Sequence, residues 1–173
     1  MTRIHAADGS LLAEYAQERR LFVPVGQMPK RLIEAFISAE DKTFFTHSGL
    51  DWAGIAAAAY RYAQVKFTGK GQIVGASTIT QQVAKNFLLT NERSIERKLR
   101  EALLVQRIEQ TFSKDRIIEL YLNEIFLGLN SYGVAAASLN YFGKSLDELS
   151  LEELAYLAAL PKGPNNYHPF RQK

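Results

Sequence analysis

The chain has 173 residues, the size of one ordinary domain, and its 47% hydrophobic and 23% charged residues exclude wholesale disorder. It contains no cysteine, which excludes a disulfide framework, a thiol nucleophile and any cysteine-ligated zinc. A formal charge of +3 is weak evidence for an anionic partner such as nucleic acid, an acidic membrane surface or a phosphorylated substrate. No apolar run approaches the length of a bilayer span, and Met1 to His5 lacks the apolar stretch of a signal peptide. The chain therefore reads as soluble, or as a piece cut from something anchored.

Thr2 to Ala6 and Leu11 to Tyr15 flank Ala7-Asp8-Gly9-Ser10, whose Asp-Gly pair suits a hairpin turn. Arg20 to Val25 is a candidate third strand, which Pro24 would confine to a sheet edge. The prolines fall at positions 24, 29, 161, 164 and 169, so Lys30 to Leu160 can be mostly helical. Pro29 followed by Leu32, Ile33, Phe36 and Ile37 predicts a helix ending near Gly49, and a second runs from about Asp51 to about Val65. Phe67 to Gln72 reads as a mobile loop because of its two glycines.

Ser77 or Thr78 caps the next helix, and Thr78-Ile79-Thr80-Gln81 matches a capping box. Further helices are predicted over Arg97 to Phe112 and, after a Ser113 cap, Asp115 to Phe126. Leu149 to Leu154 combines a capping box (Ser150, Glu153) with a hydrophobic staple (Leu149, Leu154), and Pro161 stops the helix it starts. There is no internal repeat and no interdomain linker. The expected organisation is one domain over 1–173, with a hairpin and linker segment at 1–25 and a helical region at 26–173.

Two carboxylates fall where a core is expected. Glu40 lies three residues after Ile37 and four before Phe44, on the apolar stripe of its helix. Glu101 shares a face with Leu104, Val105, Ile108 and Phe112, and Arg97 lies on it one turn earlier. A carboxylate on an apolar face is costly unless it is paired; the bland explanation is an ion pair for Glu101 and, for Glu40, a cation partner or a place at the edge of the stripe. Two such carboxylates also form the constellation that acid/base chemistry on sugars requires. Thr78, Gln82, Lys85 and Asn86 make a polar stripe, either a solvated face or a cradle for a sugar or phosphate, to which helix N-terminal N–H groups near Ser77 would add. Tyr60, Arg61, Tyr62, Lys66, Phe67 and Lys70 interleave aromatics with cations, as at membrane interfaces and single-strand nucleic-acid sites. His5, His47 and His168 have no ligand spacing, so a metal role for them is not expected.

Glu40-Asp41-Lys42-Thr43-Phe44-Phe45-Thr46-His47-Ser48-Gly49 resembles the EDxxFxxHxG signature of the family 51 glycosyltransferases, the peptidoglycan glycan polymerases. Gly75 to Asn86 resembles their second motif, GxSTxxQQxxKN, and Arg97-Lys98-Leu99-Arg100-Glu101 their third, RKxxE. Glu119-Leu120-Tyr121-Leu122-Asn123 with Gly128 and Tyr132-Gly133, and Ala155 to Pro169, resemble the fourth and fifth. The resemblance covers about residues 10 to 170; Lys162 and Gly163 depart from a segment that often reads Gln-Ala.

The resemblance implies a mainly α, lysozyme-like helical domain with a smaller membrane-proximal lobe and a short N-terminal β-hairpin. It implies polymerisation of lipid II on the extracytoplasmic face of the cytoplasmic membrane, by a transglycosylase domain of the class A penicillin-binding type or a monofunctional one, with the anchor helix missing here. Inversion at the anomeric carbon and release of undecaprenyl pyrophosphate follow. Glu40 would be the general base for the acceptor's 4-hydroxyl, since desolvation makes a carboxylate a stronger base. Glu101 would act at the pyrophosphate side, directly or through a divalent cation (Mg or Mn), with no organic cofactor. Lys85 and Arg97 would neutralise the leaving group. Asp41, Phe44, Ser77, Thr78, Gln82 and Asn86 would shape the substrate sites, with His47 supporting the first motif. Expected partners are lipid II, the growing glycan, a membrane surface through about Tyr60 to Lys70, and moenomycin-type inhibitors, but no nucleic acid. A lytic muramidase and a non-catalytic binding module are the competing readings; a muramidase would leave Lys85 and Arg97 without a pyrophosphate to neutralise.

Overall fold

The computed structural model describes residues 2–6, 8, 11–15, 19–69, 77–88, 95–164 and 167. Strands β1 (Thr2–His5) and β2 (Leu11–Tyr15) pair antiparallel with Thr2 opposite Tyr15, as the Asp-Gly turn predicts. The third strand is shorter than expected. Only β3 (Arg19–Arg20) pairs, and Val25–Gln27 turns into a 3₁₀ helix. The reason lies in side chains: Asn123 accepts from the Val23 N–H at 2.8 Å and donates to its carbonyl at 2.9 Å, and Glu119 accepts from the Val25 N–H at 2.7 Å. These groups take the place of a neighbouring strand.

Helix α1 (Lys30–Glu40) begins after Pro29 and buries Leu32 and Phe36, but it stops at Glu40 rather than near Gly49. Asp41 leaves helical geometry with φ −156° and ψ 76°, residues 42–46 form successive turns, and 47–49 bend. The stop is imposed by tertiary bonds to Asp41 that lie beyond the reach of local periodicity. Helix α2 (Trp52–Thr68) is capped by Asp51, which accepts from the Gly54 N–H at 2.9 Å, and ends on Gly69 in the left-handed region. Of the segment read as a loop, Phe67 and Thr68 belong to α2, and 70–72 lie outside the described residues.

Helix α3 (Ile79–Leu88) starts with the expected capping box: the Gln81 N–H donates to Thr78 Oγ1 at 3.1 Å and the Thr78 N–H to Gln81 Oε1 at 3.0 Å. Helix α4 (Ile95–Thr111) follows, then α5 (Lys114–Glu124), whose Ser113 cap accepts from the Arg116 N–H. Strand β4 (Ser131–Tyr132) pairs in parallel with β3. Helix α6 (Val134–Phe142) is additional to those expected from the sequence, and α7 (Leu151–Ala159) carries the predicted Ser150–Glu153 capping box.

The fold is mainly α. Helix α5 buries Ile117, Ile118, Glu119, Tyr121, Leu122 and Asn123, so nearly its whole circumference is covered, as befits a central helix. Helix α3 packs against both α5 and α4, and α1 packs against α7. Helix α2 buries none of its residues, and Trp52, Tyr60, Tyr62 and Phe67 on it are exposed. Among the described residues, no helix is long and apolar enough to cross a membrane.

Candidate active site

Glu40 is the last residue of α1 and is half-buried. Its Oε2 accepts from Gln82 Nε2 at 2.9 Å, while its Oε1 is buried without a hydrogen-bond partner. Glu40 lines a cavity of about 270 Å³ with Asp41, Lys42, Thr43, Asp51, Gly54, Ala57, Ala58, Arg61, Ser77 and Thr78. The cavity thus lies between the end of α1, the first half of α2 and the start of α3. Tyr121 of α5 adds a second buried oxygen with no partner, its hydroxyl. Burial, and then the nearby Glu40 and Asp41 carboxylates, push this phenol well above its ordinary range.

Asp41 is buried and fully engaged. His47 Nε2 lies 3.0 Å from each of its oxygens, and Oδ2 also accepts from the Ile79 N–H at 2.9 Å. The Gly49 N–H donates to His47 Nδ1 at 2.9 Å, so Nδ1 must be bare and the neutral imidazole carries its proton on Nε2, facing Asp41. One carboxylate therefore joins the first motif's turn to the start of α3. Phe44 is not beside Glu40 on a helical stripe. It lies beyond the helix end and is fully buried, with Lys114 Nζ 4.6 Å from its ring centroid, so it supports the turn from within the core. Lys114 and Thr80 both donate to Glu109 Oε1, at 2.8 and 2.6 Å. The Gly54 N–H, donating to Asp51, holds that carboxyl below the usual range.

Helix α3 resolves whether the two suspect carboxylates share a neighbourhood. Glu101 is 2% exposed, and its Oε1 accepts from Gln81 Nε2 at 3.2 Å and Lys98 Nζ at 2.7 Å, while Arg97 Nη1 lies 3.8 Å from Oε2. Consecutive glutamines of α3 thus hold one carboxylate each: Gln82 takes Glu40 and Gln81 takes Glu101. The sequence marks Gln81 only as a capping residue, and the adjacent pair of amides is the signal that reveals its second contact. Lys98 is a further contact visible in the sequence as an i,i+3 pair.

Of the expected site residues, Glu40, Asp41, Ser77 and Thr78 line the cavity and Gln82 adjoins it. Thr78 Oγ1 donates to the Gly49 carbonyl at 2.6 Å. Lys85 and Asn86 are exposed further along α3, while Arg97 and Glu101 lie on α4, which packs against α3. Phe112, placed on the Glu101 face by periodicity, is 41% exposed because it follows the last residue of α4. Glu119 and Asn123 of the fourth motif face the N-terminal segment. As a cation cage, the described surroundings of Glu101 do not fit: one carboxylate stands among Lys98, Arg97 and an amide, and no group of three His, Cys, Asp or Glu suitable for a metal ion occurs among the described residues.

The geometry thus brings together a cavity walled by a half-free carboxylate and a second carboxylate carried behind the same helix among cations. Residues 8–173 match the transglycosylase family. The chain belongs to that family. It is 53% identical over 171 residues to penicillin-binding protein 1A of Rickettsia felis, covering 99% of this chain and 22% of the relative. Against penicillin-binding protein 1A of Escherichia coli it is 47% identical over 167 residues, 96% of this chain and 19% of the relative. The chain thus spans about a fifth of the length of these relatives. A crystal structure of penicillin-binding protein 1A from Haemophilus influenzae matches with a TM-score of 0.50 and 31% identity, over 96% of this chain and 15% of that one.

Proposed function

We propose that this transglycosylase polymerises peptidoglycan glycan strands by transferring the growing lipid-linked chain to the 4-hydroxyl of lipid II. The observation that carries the reading is the state of Glu40. One oxygen is anchored by Gln82, and the other is buried without a partner in the wall of a cavity large enough for a sugar ring. That oxygen takes the proton of the acceptor hydroxyl. The hydroxyl oxygen attacks the anomeric carbon of the donor from the face opposite its pyrophosphate. The bond from that carbon to the pyrophosphate oxygen breaks, inversion follows, and undecaprenyl pyrophosphate leaves with the electron pair.

Lys85 and Arg97 neutralise the departing pyrophosphate, with Asn86 beside them. Glu101 acts by holding Arg97 and Lys98 in place, so it is a positioning residue, and no step is routed through a metal ion. Asp41 and His47 fix the turn that presents Glu40. Helix α2 rests on the extracytoplasmic face of the cytoplasmic membrane. Trp52, Tyr60 and Phe67 lie toward one side of it, where the aromatics of an interfacial helix belong. The moenomycin class of inhibitors, which carry a lipid, a phosphate and sugars, competes for the same cleft.

The test is incubation of the chain with labelled lipid II in detergent, comparing the unmodified protein with Glu40→Gln by gel separation of products. Long glycans from the unmodified protein alone support the reading. Equal product from a folded Glu40→Gln variant overturns the role of Glu40, and cleavage of preformed glycan in place of synthesis favours the muramidase.

A further inference from the structure

Three carboxylates, Glu40, Asp41 and Asp51, and two cations, Lys42 and Arg61, line the cavity beside Glu40. Its acidic groups are largely committed to protein donors: Asp41 to His47 and the Ile79 N–H, Asp51 to the Gly54 N–H and Thr43 Oγ1, and Glu40 Oε2 to Gln82. Its two cations are not. Lys42 and Arg61 line the same cavity, both are exposed, and neither has a hydrogen bond or ion pair with a described residue. They come from different walls, Lys42 from the turn after α1 and Arg61 from α2. Gly54, Ala57, Ala58 and Arg61 recur at helical spacing on one face of α2, so two turns of side chains no larger than methyl lead to the guanidinium. At 1.5 Å per residue, Arg61 sits about 10 Å along the helix from Gly54.

The other side of α2 identifies the anion. Trp52, Tyr60 and Phe67 fall on the side away from Gly54 and Arg61, and an exposed aromatic face belongs at a lipid boundary. An α-helix with side chains is about 10 Å across, so the cleft face of α2 lies just above that boundary. A lipid-linked sugar carries its pyrophosphate at that level. The donor's pyrophosphate is assigned to Lys85 and Arg97, and neither lines this cavity.

We propose that Lys42 and Arg61 clamp the pyrophosphate of the acceptor, the lipid-linked sugar whose 4-hydroxyl Glu40 deprotonates. The proposal rests on the polymerase reading above. Arg61 supplies the planar fork suited to two phosphate oxygens, and Lys42 a point charge from the facing wall. The same phosphate chemistry is present in the headgroups of anionic bilayer lipids, and the experiment separates the two sources.

Initial rates against lipid II concentration in neutral detergent are measured for the unmodified chain, Lys42→Ala, Arg61→Ala and Arg61→Lys. The apparent KM rises about tenfold in Arg61→Ala, the change expected from losing one charge-assisted contact, and less in Arg61→Lys, while kcat stays within about twofold. A readout independent of turnover uses Trp52, the single tryptophan, whose fluorescence reports binding of geranyl pyrophosphate, with geraniol as the uncharged control. Arg61→Ala weakens the former about tenfold and leaves the latter unchanged. Co-sedimentation with phosphatidylglycerol vesicles free of lipid II stays the same in Lys42→Ala and Arg61→Ala. Unchanged KM with unchanged geranyl pyrophosphate affinity overturns the clamp. A loss confined to vesicle co-sedimentation overturns it too, and assigns the cations to bilayer headgroups. An unmodified chain that binds geranyl pyrophosphate through Arg61 yet makes no glycan defeats the polymerase reading and leaves the pyrophosphate site standing.

Discussion

Asp41→Ala is expected to destabilise the protein by about 3–5 kcal/mol, although Asp41 is a polar residue within a catalytic motif. Its bonds set that magnitude. A buried hydrogen bond between a carboxylate and the His47 Nε2–H contributes about 1.5–3 kcal/mol. The Ile79 N–H then remains in a fully buried residue without its acceptor, which costs a further 1–3 kcal/mol or so. For a domain of this size, each kcal/mol lowers the melting temperature by about 2–4 °C, so thermal unfolding followed by circular dichroism should shift by roughly 6–20 °C.

Asp41→Asn is the sharper test because it keeps shape and changes only donor and acceptor character. If the amide oxygen takes the place of Oδ2, it still accepts from the Ile79 N–H and the His47 Nε2–H, but the amide nitrogen then lies 3.0 Å from Nε2, donor against donor. Moving the imidazole proton to Nδ1 relieves that clash and creates another with the Gly49 N–H, 2.9 Å away. Either tautomer leaves one donor facing another, so Asp41→Asn should cost about 1–3 kcal/mol. Stability within about 0.5 kcal/mol of the unmodified protein would refute the assigned tautomer and the argument built on it.

Gly49→Ala should cost about 2–4 kcal/mol in chemical denaturation, since Gly49 has φ +92° and a Cβ there would lie 2.5 Å from Val105 Cγ1; a loss under about 1 kcal/mol would mean that α4 yields. Asn123→Ala removes the acceptor and donor that hold Val23 and should cost about 2 kcal/mol, with faster proteolytic release of the N-terminal segment than of the helical core. Burial first, and then Tyr156, push the Tyr141 phenol up to about 12 from 10.0, so the folded state favours its neutral form. That contribution is fully present below pH 10 and is lost as pH rises towards 12. The urea midpoint should therefore fall more steeply across that interval in the unmodified protein than in Tyr141→Phe, and parallel curves would refute the assignment.

Helix starts were legible because caps are local. Thr78 with Gln81, Ser113, and Ser150 with Glu153 all form the bonds their spacing implies. The end of α1 was not legible, because its cause is remote in sequence: Asp41 bonds an N–H 38 residues away. Helix α6 is hidden in the sequence for the opposite reason. Val134–Phe142 is buried along its first five residues and so lacks a clear polar face, and Gly133 starts it with no side-chain cap. The polar stripe of α3 was visible, but spacing could not distinguish a solvated face from a cradle. Gln82 bonds Glu40 across to α1, while Lys85 and Asn86 remain in solvent.

The motif acids look alike as letters and part company only when their acceptor capacity is counted. A buried carboxylate serves structure when donors occupy its oxygens. Asp41 meets that condition through His47 and Ile79, Glu119 through Arg116 and the Val25 N–H, and Glu101 through Gln81 and Lys98 on one oxygen and the Arg97 ion pair at the other. Glu40 does not, because its Oε1 is buried and bonded to nothing. An unsatisfied buried acceptor costs about 1–3 kcal/mol, and a sequence free to place leucine there would avoid that loss. The cost makes sense where a substrate hydroxyl supplies the missing donor. Gln82, fixed on the other oxygen, keeps the carboxylate from turning away to find a protein partner instead.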